Sequence, residues 1–385
     1  MTVRTSLALA LGLALGLATL GCKKEPKGNT GAATGTGSAT GSAGTGGAMT
    51  GDPAMTRPSQ GTLAKLEDPT WDADPTRDQK VALGHVLFFD NRLSVDGSRS
   101  CYSCHLNEDG NGGHDPLAIG AGDKPLTRHS PVIWNVAFFD KTHSLYWDGR
   151  SANLEDLTKA AWSGGNMGVG SEAGKLDAKA AEIAKIKGYA PLLTAAFPDV
   201  KPAEIKADHL ASALATYQRT LICKDTAYDR FAGGDKAALN EPQQRGLDLF
   251  LGKGQCTVCH APPYFSTAMV ADGGFFANTG VGTQKPEAEV DVGRFKITNK
   301  PEDWAAFKPP SLRNVSKSAP YFHDGSVATL DAAVQIMAIG GIPNKAKSPL
   351  LANRGLTPAE ITDLIAFLGS LDCPGKLEEP AAMPK

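Results

Sequence analysis

The sequence predicts a mainly α-helical protein built from two similar modules with long loops. Three observations predict it. Apolar residues recur at helical spacing in several segments, while strand signals are sparse. The 43 glycines and 25 prolines punctuate those segments and lengthen the connections between them. The chain also repeats itself, with landmarks of its first half returning in the same order in its second. A chain of 385 residues, 41% of them hydrophobic, can fill one large core or two ordinary ones. Its formal charge of -2 carries no electrostatic footprint for nucleic acid, so none is expected as a partner.

In chain order, residues 1–22 read as a lipoprotein-type signal. Arg4 supplies a sparse basic start, and the apolar run 7–20 is too short for a comfortable membrane span. It ends in Thr19-Leu20-Gly21-Cys22, which makes Cys22 the expected lipidation site. An ordinary cleaved signal is the alternative, and both place the protein outside the cytoplasm. Lys23 follows the cysteine in place of the aspartate associated with inner-membrane retention. The expected location is therefore the periplasm of a Gram-negative bacterium, anchored by lipid to the outer membrane. Residues 23–62, rich in Gly, Ala, Thr and Ser, bury too little to fold and form a flexible tether with a reach of roughly 30 Å.

An N-terminal module is expected over 63–222, a C-terminal one over 223–375, and a tail over 376–385. Thr76-Arg77-Asp78-Gln79 has the form of a capping box, with a helix following through Leu83, Leu87 and Phe88. A Gly/Asp-rich loop follows over 107–123. Helices are expected over 180–196 and 208–222, the second with Leu210, Ala213, Leu214, Tyr217 and Leu221 on one face. A helix over 242–251 opens the second module, and 330–339 is a short helix-like run. Thr357-Pro358-Ala359-Glu360 combines a capping box with Pro at the first helical position, ahead of Ile361, Leu364, Ile365 and Leu368.

Two stretches carry chemistry. Cys101-Tyr102-Ser103-Cys104-His105 and Cys256-Thr257-Val258-Cys259-His260 each read as a covalent haem attachment site. In such a site the two thiols add to the haem vinyl groups and the histidine becomes an axial iron ligand. The expected fold class is thus mainly α, with two cytochrome c-like haem domains, long loops and two covalently bound haem c groups. Zinc or redox Cys-x-x-Cys sites are the alternative. Of the seven cysteines, four lie in these motifs and Cys22 ends the leader, which leaves Cys223 and Cys373. In an exported protein they form either a disulfide or two separate buried thiols.

The repeat allows the two irons to be compared. Gly84-His85-Val86-Leu87-Phe88 precedes the first motif as Gly246-Leu247-Asp248-Leu249-Phe250 precedes the second. Asn135-Val136 answers Asn314-Val315. Trp147 to Glu155 aligns with His323 to Asp331 without gaps. Met337 lies 14 positions after His323 (337 − 323), and its counterpart at 147 + 14 is Ala161. A thioether would make the second haem a His260/Met337 centre of raised potential, whereas alanine cannot bind iron. The first haem, on His105, is left with an open or water-occupied face.

The flanks Leu87-Phe88-Phe89-Asp90-Asn91-Arg92-Leu93-Ser94, Tyr146-Trp147-Asp148-Gly149-Arg150, Gly293-Arg294-Phe295, Pro310-Ser311-Leu312-Arg313-Asn314 and Ala319-Pro320-Tyr321-Phe322-His323, with the two haem motifs, resemble the bacterial di-haem cytochrome c peroxidase family, which includes MauG-type enzymes. The resemblance covers about 83–371. It implies that the haem on His105 reduces hydrogen peroxide. The haem on His260 and Met337 would receive electrons from a small cytochrome c or cupredoxin, and Trp147 would relay them. Relatives often dimerise, which leaves a homodimer open. Trp147, Asn166 and Arg128 are the candidate catalytic residues.

Three departures from the family pattern qualify this. Ala121 stands where a capping histidine closes the resting iron in many relatives; His114 and His129 are nearby substitutes. Asn166 stands where a glutamate before a Met-Gly pair moves the proton, and an amide orients peroxide but cannot shuttle that proton. Glu155, Asp156 and Glu172 are the carboxylates that could replace it. His129 follows Arg128 where the family places a side-chain amide on Ca2+. Imidazole is a poor ligand for a hard cation, which leaves carbonyls at Ser318 and Pro320 with water to hold any Ca2+. The alternatives to a peroxidase are a MauG-type oxidase acting on a partner protein, or a non-catalytic electron carrier or haem sensor. MauG-type enzymes use tyrosine where this chain has Met337.

Overall fold

The computed structural model describes residues 63–385. The expected signal, the lipidation site Cys22 and the whole of the tether lie outside the described residues. The described chain is mainly helical. Its helices are α1 (Arg77–Phe89), α2 (Val136–Lys141), α3 (Leu154–Ser163), α4 (Lys175–Ala184), α5 (Ala190–Ala196), α6 (Ala207–Gln218), α7 (Ala227–Ala232), α8 (Glu241–Leu251), α9 (Phe295–Thr298), α10 (Leu330–Ala338) and α11 (Pro358–Gly369). Two short antiparallel strands, β1 (Ile119–Gly120) inside the Gly/Asp-rich loop and β2 (Lys124–Pro125) just after it, pair with each other. Among the described residues no helix is long and apolar enough to cross a membrane.

Local chemistry explains most helix ends. The final capping box forms, with Thr357 and Glu360 each bonding the other's backbone N–H. Asn240 and Gln243 do the same at the start of α8. At α1 the box does not form. Asp74 accepts from both the backbone N–H and the hydroxyl of Thr76, at 2.9 Å each, so Thr76 no longer caps the helix. The single helix expected over 180–196 is broken into α4 and α5 by a tighter turn at Lys187–Tyr189. Gly188 weakens the helix there, and Pro191, with no N–H to donate, is tolerated only as the start of a new one.

The repeat is visible as paired helix crossings. α1 crosses α6 at Gly84, where an added Cβ would lie 2.0 Å from the Ala213 carbonyl oxygen. α8 crosses α11 at Gly246 with the same 2.0 Å approach to the Asp363 oxygen. The recurring Gly-x-x-Leu-Phe therefore marks where two backbones touch, with Leu87, Phe88, Leu247 and Phe250 buried beside the crossings. Asn153 and Thr329, aligned in the repeat, cap α3 and α10 with their side chains.

One apolar cluster gathers around Leu83, Phe88, Trp162, Leu193 and Leu214; a second gathers around Tyr228, Phe250, Phe265, Leu364 and Phe367. Both ends of the described chain cross over. Leu63 packs on the second cluster, and Leu377, from the expected tail, is buried in the first. Arg313, 0% exposed, pairs through two hydrogen bonds of 2.7 and 2.8 Å with Asp229 beneath the second cluster.

Cys223 and Cys373 form a disulfide with an S–S distance of 1.98 Å. It joins equivalent points of the repeat. Asn135 and Asn314, both left-handed at φ 64°, accept at 2.8 and 2.6 Å from the N–H of Cys223 and Cys373 respectively. The bridge closes a separation of 150 residues. Replacing both cysteines with serine is expected to cost about 2–5 kcal/mol. Denaturant unfolding checks this, and an unchanged midpoint would show that the bridge adds no stability.

Candidate haem-binding and catalytic site

Each Cys-x-x-Cys-His motif folds as one tight helical turn, Tyr102–Cys104 and Cys256–Val258, which brings its two thiols to one side ahead of the histidine. His105 Nδ1 lies 3.2 Å from the Asn111 carbonyl oxygen, and His260 Nδ1 lies 3.0 Å from that of Phe265. A carbonyl only accepts, so Nδ1 carries the proton in both rings and Nε2 keeps a free lone pair. Burial pushes the His105 imidazole down to about 4 and lowers that of His260 as well. Both rings are therefore neutral at ordinary pH, as an iron ligand must be.

The second motif opens onto an apolar cavity of about 230 Å³ between α8, α10 and α11. Cys256, Cys259, His260 and Met337 line it, with Phe250, Leu312 and Val334 among the walls. Two thiols, one imidazole and one thioether around an apolar space fit haem c. Among the described residues no three His, Cys, Asp or Glu side chains converge as zinc held without haem would require.

At the first motif, Cys104 Sγ lies 3.7 Å from the carbonyl oxygen of Ile119, on β1. Two residues further on, Ala121 donates its N–H to the backbone oxygens of Gly165 at 3.2 Å and Asn166 at 3.1 Å. Ala121 and Asn166, far apart in sequence, are thus neighbours beside the first motif. This loop is pinned from outside: Asp96 accepts from the Gly122 N–H at 2.8 Å, and Arg99 pairs with Asp123 at 2.6 Å. Of the substitutes considered for the missing groups, Glu155 is held by both terminal nitrogens of Arg219, Asp156 accepts from its own cap Asn153, and Glu172 is exposed. His114 is exposed against Asp109, and His129 bonds through Nδ1 to the Asp115 carbonyl at 2.9 Å.

Trp147, 8% exposed, lines the second cavity, and its indole N–H donates to the His129 carbonyl at 2.9 Å. Arg128 is committed elsewhere. It donates from Nε and Nη2 to Asp291 at 2.6 and 2.9 Å and from Nη1 to Asp148 at 2.8 Å. Its charge is neutralised by carboxylates from both halves of the chain, which makes it a positioning residue for the Trp147-Asp148 turn. Sequence reasoning missed Lys308. This residue is 8% exposed, donates its backbone N–H to the Trp147 carbonyl at 2.8 Å, and places Nζ 3.2 Å from the centre of the Phe139 ring. Burial holds its amine well below the usual lysine range. The only signal in the sequence is a lone lysine inside Ala305-Ala306-Phe307-Lys308-Pro309-Pro310.

Two haem-attachment turns on a repeated helical scaffold define a di-haem c-type cytochrome. The family model for di-haem cytochrome c peroxidase matches residues 78–237. A methylamine utilization protein MauG from Methylorubrum extorquens is 35% identical over 314 residues, 81% of this chain and 82% of that one. A cytochrome c551 peroxidase from Pseudomonas aeruginosa is 31% identical over 308 residues, 77% of this chain and 80% of that one. Among solved structures, a MauG-like protein associated with microbial copper homeostasis superposes with a TM-score of 0.72 at 30% identity, covering 82% of this chain and 96% of that one. The chain belongs to the di-haem cytochrome c peroxidase family, and it is an oxidoreductase of that kind.

Proposed function

We propose that the protein reduces hydrogen peroxide at the haem on His105, with electrons entering through the haem on His260 and Met337 from a small cytochrome c or cupredoxin. The observation that carries this is the contrast within the repeat. Met337 lines the second cavity beside His260, and its counterpart Ala161, on α3, offers the first iron nothing. We assign the peroxide site to residues 63–222 and electron entry to 223–375. When bound, the two haems supply the redox chemistry. The protein's own groups do the rest. Ala121, in the pinned loop beside Cys104, would offer a bound haem no side-chain ligand, so that no preceding reduction would be needed to open the site. Asn166 orients peroxide by hydrogen bonds. Trp147 bridges toward the second cavity, held by His129 and Lys308. For calcium, His129 Nδ1 is engaged by the Asp115 carbonyl, so any Ca2+ would rest on the carbonyls of Ser318 and Pro320 with water. The place of action we propose is the periplasm, with Cys22 as the lipid anchor.

Mixing the purified two-haem protein with peroxide and a reduced donor tests this. Donor oxidation matched to peroxide consumption is expected; an absence of both would sink the peroxidase reading. A second reading, oxidation of side chains on a partner protein, is favoured by the similarity to MauG sequences and opposed by Met337. It predicts peroxide-dependent modification of a partner in the absence of any electron donor. A purely six-coordinate, low-spin spectrum would favour an electron carrier or sensor instead.

A further inference from the structure

We propose that the C-terminal tail sets how strongly His105 donates to the first iron, acting through Asn107 and Asn111. His105 Nδ1 donates to the Asn111 carbonyl at 3.2 Å, and that carbonyl also accepts from the Ile133 N–H at 3.0 Å. Asn111 is 2% exposed and held in the left-handed region at φ 65°. Its side chain keeps it there. Oδ1 accepts from the Trp134 indole at 2.6 Å, and Nδ2 donates to the Asn107 Oδ1 at 2.9 Å. Asn107 is in turn gripped from 270 residues away. It donates to the Leu377 carbonyl at 2.9 Å and accepts from the Leu377 N–H at 2.8 Å. Leu377, 3% exposed, is buried in the first apolar cluster. Beyond it, Pro384 and Lys385 accept from Arg92 at 2.9 Å and from the Gly188 N–H at 2.7 Å, so the strap is tied along its length.

The second haem motif shares the Nδ1 bond to a loop carbonyl, but among the described residues the C-terminal tail does not grip that loop in the way Leu377 grips Asn107. The partner of His260 is Phe265, five residues along the same loop. A feature shared by both modules would be ordinary family architecture; this one serves a single haem.

A histidine that donates from Nδ1 to a carbonyl gains negative character at Nε2. It then binds ferric iron more strongly and lowers the reduction potential. Loosening Asn107 removes one of the bonds that fix Asn111, beside those from its N–H to the Leu106 carbonyl and from the Trp134 indole, and so weakens the bond to His105 and raises the potential. The inference rests on the haem assignment and not on peroxide as substrate, and its readout needs no turnover.

The test is an equilibrium redox titration of the two-haem protein, following each haem by its own absorption bands. The variants are Asn107→Ala in the full chain and a chain ending at Gly375. Expected is an upward shift for the first haem in both variants and an unchanged second haem. Should the shortened chain fail to fold, Leu377→Ala takes its place. Any other pattern overturns the proposal, including no shift, a shift in one variant alone, or equal shifts at both haems.

Discussion

Replacing Met337 with alanine is expected to abolish the high-potential couple and with it turnover from a protein donor. Met337 sits on α10 and lines the same cavity as His260, Cys256 and Cys259. A thioether ligand favours ferrous iron because it is a soft, weak donor to the ferric state. Its loss should lower the second haem's potential by tenths of a volt, within the roughly 0.8 V that axial ligands command. Electrons from a small redox partner would then meet an uphill step. The covalent attachment and α10 itself should survive, because the Thr329 cap does not depend on Met337. Redox titration checks this, and an unchanged potential would show that the second iron takes its sixth ligand elsewhere.

The largest gain should come from Asn166→Glu. The position is half-buried, and its backbone carbonyl accepts from Ala121 in the loop beside Cys104. An amide there can orient peroxide but cannot take a proton from one oxygen and return it to the other. A carboxylate can, and a well-placed general base contributes about 100- to 10,000-fold. Peroxide turnover is expected to rise by about 100-fold or more in the variant. The gain should fade as pH falls and the new carboxylate is protonated, because the base works only when ionised. Steady-state rates across pH check both statements. A variant no faster than the parent would mean that proton transfer is handled elsewhere or is not limiting.

How much of this could be read from the sequence differs from residue to residue. The two haem motifs, the final helix with its Thr357/Glu360 box and the Met337/Ala161 contrast rest on short spacings or an internal repeat, and are legible without a structure. The helix expected over 180–196 was not, because Gly188 and Pro191 outweigh a continuous apolar pattern. The capping box at Thr76 failed for a related reason: Asp74, outside the motif, competes for the same donors. Arg128 illustrates a different limit. It is a candidate catalytic residue in the sequence, yet its guanidinium is filled by Asp148 and by Asp291, 163 residues away.

The sequence by itself determined the two haem-attachment motifs, the contrast between Met337 and Ala161, and that two modules echo each other. These follow from covalent chemistry and from periodicity, which act over a few residues. Only the tertiary structure decided how the modules are bound together. The Cys223–Cys373 bridge, the burial of Lys308 beside Trp147, and the grip of Leu377 on Asn107 join groups far apart in the chain. No local preference records such pairings, because each exists only once burial has removed water and left the polar groups to find one another. The attachment motif Cys101–His105 is thus legible in five residues, while the loop behind it is held by Leu377 from the other end of the chain.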